Sequence, residues 1–305
     1  MLERLMDCVK LYQKGEDNKY NPNFITKLLN NYRSHEAILR LPNRMFYENE
    51  LVACGGDEIT RAEYWSQLPN KKFPLIFHAV HGSERRDENS PSVYNDYEVD
   101  VVVHYVCALM EETLGGHGIE ENDIGIVTPF KYQASIIKIA LQQKGLHYIA
   151  VGTVEIFQGQ EKDIIIISTV RSIVYQHNER FHLGFLSHAK RFNVTITRAK
   201  SLLIVVGNPK VLQIDPCWRE FIEYCQRNRA CRGDNFTLSP LSENEIKKLL
   251  NDKMETEECE ENLLIPDLKI EKIEESSSNI STNFLSVEER FAAAKALGET
   301  LNDWW

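Results

Sequence analysis

"RFNVTITRAKSLLIVVGNP" (residues 191–209) sets Arg198 and Lys200 at the threshold of Leu202–Val206, a run without a single polar residue. A short apolar run rich in β-branched side chains and closed by Gly207 reads as a strand covered on both faces, the pattern of a parallel sheet. A guanidinium directly before such a strand is unusual. Either it ties down the local backbone or it faces something negatively charged.

Working outward, further strands are expected at "FPLIFHAV" (73–80), "DIGIVTPF" (123–130), "HYIAVGTV" (147–154) and "DIIIISTV" (163–170). A helix fits 95–114, where Val99, Val102, Val103, Val106, Leu109 and Met110 recur at helical spacing. A second fits 131–144, stopped by Gly145. A third fits 215–230, with Asp215 as N-cap and Pro216 at its first position. Residues 1–20 read as a helix running into a polar loop, and 24–51 carry helical apolar spacing interrupted at Asn30–Ser34. Strands alternating with helices predict an α/β fold, doubly wound and mainly parallel, with helices on both faces of the sheet. Ligands of such sheets bind beyond the carboxyl ends of the strands.

The 305 residues allow one domain with an extension, or two domains. No apolar stretch approaches the roughly 18 residues of a membrane span, and the charged start MLERLMDCVK has no secretion-signal core. The seven cysteines form no CxxC pair and are odd in number, which predicts a reducing intracellular setting with neither a disulfide framework nor a metal site. The net charge of −10 is local: residues 242–305 hold 16 acidic and 7 basic residues, so the remainder is close to neutral. Global acidity therefore does not exclude a polyanionic partner. The segment 241–305 reads as an acidic, largely disordered tail. Near its end Ser286 and Glu289 form a capping box before a helix over 286–301, either transient or partner-binding.

Four segments carry residues suited to chemistry: "NNYRSHEAI" (30–38), "GIVTPFKYQ" (125–133), "VGTVEIFQGQEKDIIII" (151–167) and "NVTITRAK" (193–200). Each also has a plain structural reading. Tyr32 is a core candidate and Arg33 an ion-pair candidate. Thr128-Pro129 suits a turn, Gln158–Glu161 a polar loop, and Arg198 the C-terminal cap of a helix. His35 suits packing or hydrogen bonding better than catalysis.

Taken together and in this order, the segments resemble the second RecA-like domain of superfamily 1 helicases of the up-frameshift type, over residues 24–228. "LPNRMFYENEL", "STVRS", "GFLSHAKRFNV" and "GNPKVLQIDPCW" narrow the resemblance to the Armitage group of RNA helicases. Phe130 stands where that family often has Tyr, and Thr195 where Ala is common; neither change removes a charge.

The resemblance implies ATP with Mg²⁺ in a cleft between two RecA-like domains. Arg198 and Arg33 would act there as arginine fingers, Tyr32 would stack on adenine, Glu161 would accept from the ribose hydroxyls, and Gly159 would allow close backbone approach. A guanidinium stays charged and offers a fork of donors to phosphate oxygens, which an ammonium does not. Thr128, Pro129 and Thr153 would contact the phosphates of a single-stranded RNA. The resemblance further implies translocation along that strand in small-RNA silencing, Argonaute and Piwi proteins as candidate partners, and the cytoplasm, with ribonucleoprotein granules, as the setting.

The sequence contains no GxxxxGK[ST], and Asp57-Glu58 follows Gly-Gly rather than an apolar strand, so no metal ligands are assigned in it. The expectation is the C-terminal part of a helicase. Residues 1–23 would be a linker or helix from a first motor domain that also holds the metal ligands, 24–240 the RecA-like domain, and 241–305 the tail. Hydrolysis is then expected of the full-length protein and not of this chain alone. The alternative is an RNA- or protein-binding module that keeps the helicase fold without catalysis.

Overall fold

The computed structural model describes residues 2–16, 19–86, 92–172, 175–177, 180–182 and 184–238. The acidic segment 241–305, with the helix expected over 286–301, lies outside the described residues.

Six strands form one sheet: β1 (Leu75–Ala79), β2 (Ile124–Val127), β3 (Ala150–Gly152), β4 (Lys162–Ser168), β5 (Ala199–Gly207) and β6 (Cys231–Gly233). Their spatial order is β6-β1-β5-β4-β2-β3, and every pairing is parallel. The run that opened the sequence reading is a central strand. Leu202–Val206 of β5 have no solvent exposure, flanked by Leu75–Ala79 on one side and Ile164–Ser168 on the other.

Side chains alternate between two cores because strand period is two. Ile76, Ile124, Ile126, Ile164, Ile166, Leu202 and Ile204 share one core with Val102, Val106 and Leu109 of α3 (Asp96–Met110) and Ile137 of α4 (Lys131–Gln142). Leu75, Phe77, Val127, Ile165, Ile167, Leu203 and Val205 share the other. That second core takes Ile38 of α2 (Glu36–Phe46), Phe192 and Ile196 of α5 (Ala189–Ile196), and Trp218 and Phe221 of α7 (Pro216–Arg227). A short α1 (Leu2–Cys8) and a one-turn α6 (Pro209–Leu212) complete the α-helices among the described residues. Helices cover both faces, so the expected doubly wound, parallel α/β fold is the one found.

Local stop signals act as the sequence implies. After α4, Gly145 N–H reaches Gln142 O at 2.9 Å and Leu146 N–H reaches Leu141 O at 3.0 Å. That pair of bonds is the Schellman cap, and Gly145 supplies its left-handed residue with φ 80°. The Asp215 carboxylate accepts from Cys217 N–H at 2.8 Å and Trp218 N–H at 3.1 Å, capping α7.

Several boundaries differ from the sequence reading. The helix expected over 95–114 ends at Met110, and Thr113–Leu114 instead pairs antiparallel with His117–Gly118. The strand expected over 147–154 is three residues long, at the sheet's edge. Within 24–51 only Glu36–Phe46 is helical. Upstream, Asn30–Asn31 runs extended and pairs in parallel with Val52–Ala53. The Asn31 side chain accepts from the N–H groups of Arg33 (3.0 Å) and Ser34 (2.9 Å), a local alternative to helix that asparagine favours.

Candidate functional site

Three segments far apart in sequence converge at the amino edge of β4 and β5. Residues 31–35 dock on the start of β5. There Ser34 Oγ–H donates to Ala199 O at 2.8 Å, and His35 N–H donates to Lys200 O at 2.8 Å. Lys162 N–H, at the start of β4, donates to Arg198 O at 3.1 Å. Arg33, Glu161, Arg198 and Lys200 are therefore fixed to a single rigid edge.

The side chains are already partnered. Arg33 Nε–H donates to Glu161 Oε2, and Lys200 Nζ lies 3.5 Å from Glu161 Oε1. Burial works against ionisation of Glu161, but Arg33 and then Lys200 outweigh it, and its pKa lies below the ordinary carboxylate value. Arg198 Nε–H donates to Val194 O at 3.0 Å, in the last turn of α5, and its Nη1–H donates to Gln160 O at 3.0 Å. The guanidinium thus caps α5 and clips the Gln158–Glu161 loop to it. Burial first, then the neighbouring Arg33 charge, lower the pKa of Arg198. Arg33 and Arg198 thus bring two positive charges to the same edge, beside the single carboxylate of Glu161.

Gly159 has φ 77°, a left-handed conformation that glycine adopts without strain. No atom lies within 4 Å of where a Cβ would stand, so that side of the loop is open. Tyr32 is 69% exposed, and its hydroxyl accepts from Asn30 Nδ2 at 3.3 Å. It is not a core residue. His35 is buried; its Nδ1 accepts from Ala37 N–H at 3.1 Å and its Nε2 faces Glu63 Oε1 at 3.1 Å, so it caps α2.

The second set of residues lies at the opposite edge. Thr128 and Pro129 follow the carboxyl end of β2, and Thr153 follows that of β3. Thr128 N–H donates to Gly152 O at 3.0 Å, which holds the two strand ends together. Thr128 is fully buried, and its hydroxyl has no hydrogen-bond partner among the described residues. It lines a small cavity with Pro129, Arg191, Phe192, Thr195 and Trp218. As placed here the hydroxyl faces inward, not toward solvent.

The carboxyl-end rule for ligands thus covers only Thr128, Pro129 and Thr153. Tyr32, Arg33, Gly159, Glu161 and Arg198 sit at the other end of the strands, across about 23 Å for a seven-residue strand. Lys200, Asn31 and Ser34 also belong to the amino-edge cluster. Lys200 was visible as a charge at the head of an apolar run. Asn31 acts through a local turn that its side chain favours, whereas the Ser34 contact with Ala199, 165 positions on, is one that no local pattern specifies. Among the described residues, no group of three or more His, Cys, Asp or Glu side chains is placed to hold a metal ion. No helix among them is long and apolar enough to cross a membrane.

Comparison with known proteins places this geometry in context. A family described as an AAA domain matches residues 1–210. A Danio rerio protein named as helicase mov-10-B.2 is 43% identical over 274 residues, covering 86% of this chain and 27% of the relative. RNA helicase Mov10l1 of Homo sapiens is 47% identical over 239 residues, 76% of this chain and 20% of its own length. Armi of Drosophila melanogaster, named as an RNA helicase, is 35% identical over 245 residues, again 76% and 20%. The chain spans about a quarter, or less, of the length of these relatives.

Proposed function

The chain belongs to the AAA domain family, and from that premise we propose that it is the second RecA-like motor domain of an ATP-dependent RNA helicase. In this reading the amino edge of β4 and β5 is one wall of an ATP cleft, and the carboxyl edge of β2 and β3 meets single-stranded RNA. The names of the relatives support the helicase and RNA parts. The observation that carries the nucleotide part is the convergence of residues 31–35, 158–162 and 198–200 on one edge.

Each side chain has a role that its chemistry suits. The exposed Tyr32 ring offers a stacking face for adenine. Arg33 and Arg198 place positive charge where the terminal phosphate sheds its bond, and that charge matters most when it is fixed beforehand. Glu161, held ionised, accepts from ribose hydroxyls once Arg33 turns to phosphate. Gly159 keeps the loop low and open. ATP arrives with Mg²⁺, which supplies charge neutralisation at the phosphates; its ligands belong to the other wall of the cleft. Translocation in small-RNA silencing, association with Argonaute or Piwi proteins, and a cytoplasmic or granule setting are parts of the same proposal.

One observation favours the second reading, a binding module without catalysis. Arg198 already has two backbone acceptors and caps α5, which is a complete structural role. The two readings separate when residues 24–238 replace the matching segment of a full-length relative. The motor reading expects ATP hydrolysis stimulated by single-stranded RNA; the module reading expects RNA binding with hydrolysis abolished.

A further inference from the structure

Val170 is β-branched and fully buried, yet its φ is 68°. Arg171 N–H donates to Thr169 O at 2.8 Å, closing a three-residue γ-turn with Val170 at its centre. That conformation is rare and strained, most of all for a branched side chain. It persists only where the surroundings over-determine it, and such strain concentrates at functional sites.

The surroundings here are three fully buried polar side chains. Glu98 Oε2 accepts from Val170 N–H at 2.8 Å and from Ser168 Oγ–H at 2.7 Å. Asn95 Nδ2 donates to Val170 O at 3.2 Å and to Ser172 Oγ at 3.0 Å. The Gln133 amide accepts from Asn95 N–H at 2.8 Å and donates to Ser168 Oγ at 3.1 Å. Both ends of the strained residue are therefore gripped by α3 and its N-cap, while Gln133 of α4 braces Asn95 and Ser168. Burial holds the Glu98 carboxyl up at about 7 against the hydrogen bonds of Ser168 and Val170, so keeping this acid in the core is unfavourable.

The clamp faces the carboxyl edge. Beyond the turn the Arg171 guanidinium lies 4.9 Å from the centre of the Phe130 ring, and Arg171 Nη1–H donates to Glu84 at 3.1 Å. Ser172 N–H donates to the other Glu84 oxygen at 3.0 Å. Phe130 directly follows Thr128-Pro129. A line of contacts thus runs from Glu98 through the Val170 turn and Arg171 to the segment assigned to RNA.

We infer that Glu98 is a positioning residue for the strand-binding edge: it clamps the Ser168–Ser172 turn so that Arg171, packed on Phe130, holds the partly exposed Pro129-Phe130 stretch beyond the buried Thr128 in the conformation that meets an RNA backbone. This rests on the RNA reading of that edge given above. It requires an acceptor at the right reach and not a negative charge.

The test uses the 305-residue chain and a fluorescein-labelled 20-nucleotide oligouridine, with affinity read by anisotropy and folding by circular dichroism. Glu98→Gln keeps the acceptor and should bind within about twofold of wild type. Glu98→Asp keeps the charge but falls short of Val170, and Glu98→Ala removes the acceptor; each should weaken binding about tenfold. Exchange of the Val170 and Arg171 amides should quicken in the same two variants and not in Glu98→Gln. If Glu98→Ala does not fold, the Asp and Gln variants carry the comparison. Folded Asp and Ala variants that bind like wild type overturn the inference alone, and so does a Gln variant as weak as Asp. A folded wild-type chain that binds no RNA overturns the RNA reading itself, and the inference with it.

Discussion

Truncating Arg198 to alanine separates its two possible roles because each predicts a different magnitude. The structure gives the guanidinium two acceptors, Val194 O and Gln160 O, both at 3.0 Å. Val194 O keeps another donor, Thr197 Oγ1–H at 3.3 Å, so its loss is partly compensated. One charge-assisted bond and one shared bond at a half-buried site amount to about 1–2 kcal/mol. For a folded unit of this size each kcal/mol moves the melting temperature by about 2–4 °C, so Arg198→Ala should lower it by about 2–8 °C. As an arginine finger, the same residue should also account for a factor on the order of 10³ in hydrolysis, the lower end for that device. The assay is ATP turnover, with and without RNA, of a full-length relative carrying residues 24–238 of this chain, alongside thermal melts. Arg198→Lys should restore part of the stability through one carbonyl and only a small part of the rate, since it loses the fork. A variant that melts lower by the expected amount yet turns over ATP at the parental rate would refute the catalytic reasoning and leave Arg198 a structural clip.

Other outcomes follow from the same structure. Burial raises the Glu98 pKa to about 7 from an ordinary 4.5, so the folded state holds a proton that the unfolded state has already released between those values. Wild-type stability should therefore fall as pH rises from about 4.5 to about 7 and level off above, by at most about 3 kcal/mol; Glu98→Gln, measured by denaturant melts at pH 5 and pH 8, should lack that fall. Asp215→Ala removes the acceptor for two N–H groups at the buried start of α7 and should cost about 1–2 kcal/mol, read from the same melts. The 305-residue chain by itself, which contains no GxxxxGK[ST], should show no ATP turnover above buffer in a phosphate-release assay, with or without RNA.

Much of the fold was legible because its signals are local. The apolar run before Gly207, the stop at Gly145 and the cap at Asp215 each depend on a few neighbouring residues, and each found its expected place. The site was legible as a set of residues but not as a geometry. Arg33 and Glu161 lie 128 positions apart, and only the sheet order brings them together. The carboxyl-end rule pointed to one edge, whereas most of the named residues stand at the other. Glu98 was illegible for a different reason. A carboxylate in the first turn of a helix usually faces solvent beside the helix dipole, and nothing near it in sequence announces a buried turn 70 residues on. The segment before α2 misled through composition, since apolar residues at helical spacing there yield to the hydrogen bonds of Asn31.

The central claim is that Tyr32, Arg33, Gly159, Glu161 and Arg198 form one wall of an ATP site. Photolabelling with 8-azido-ATP tests it most directly, on the full-length relative carrying residues 24–238, with adducts mapped by peptide mass spectrometry. The account predicts an adduct on the peptide containing Tyr32, displaced by excess ATP and lost in Tyr32→Ala. Labelling that maps elsewhere and survives Tyr32→Ala, while ATP turnover continues, would contradict it.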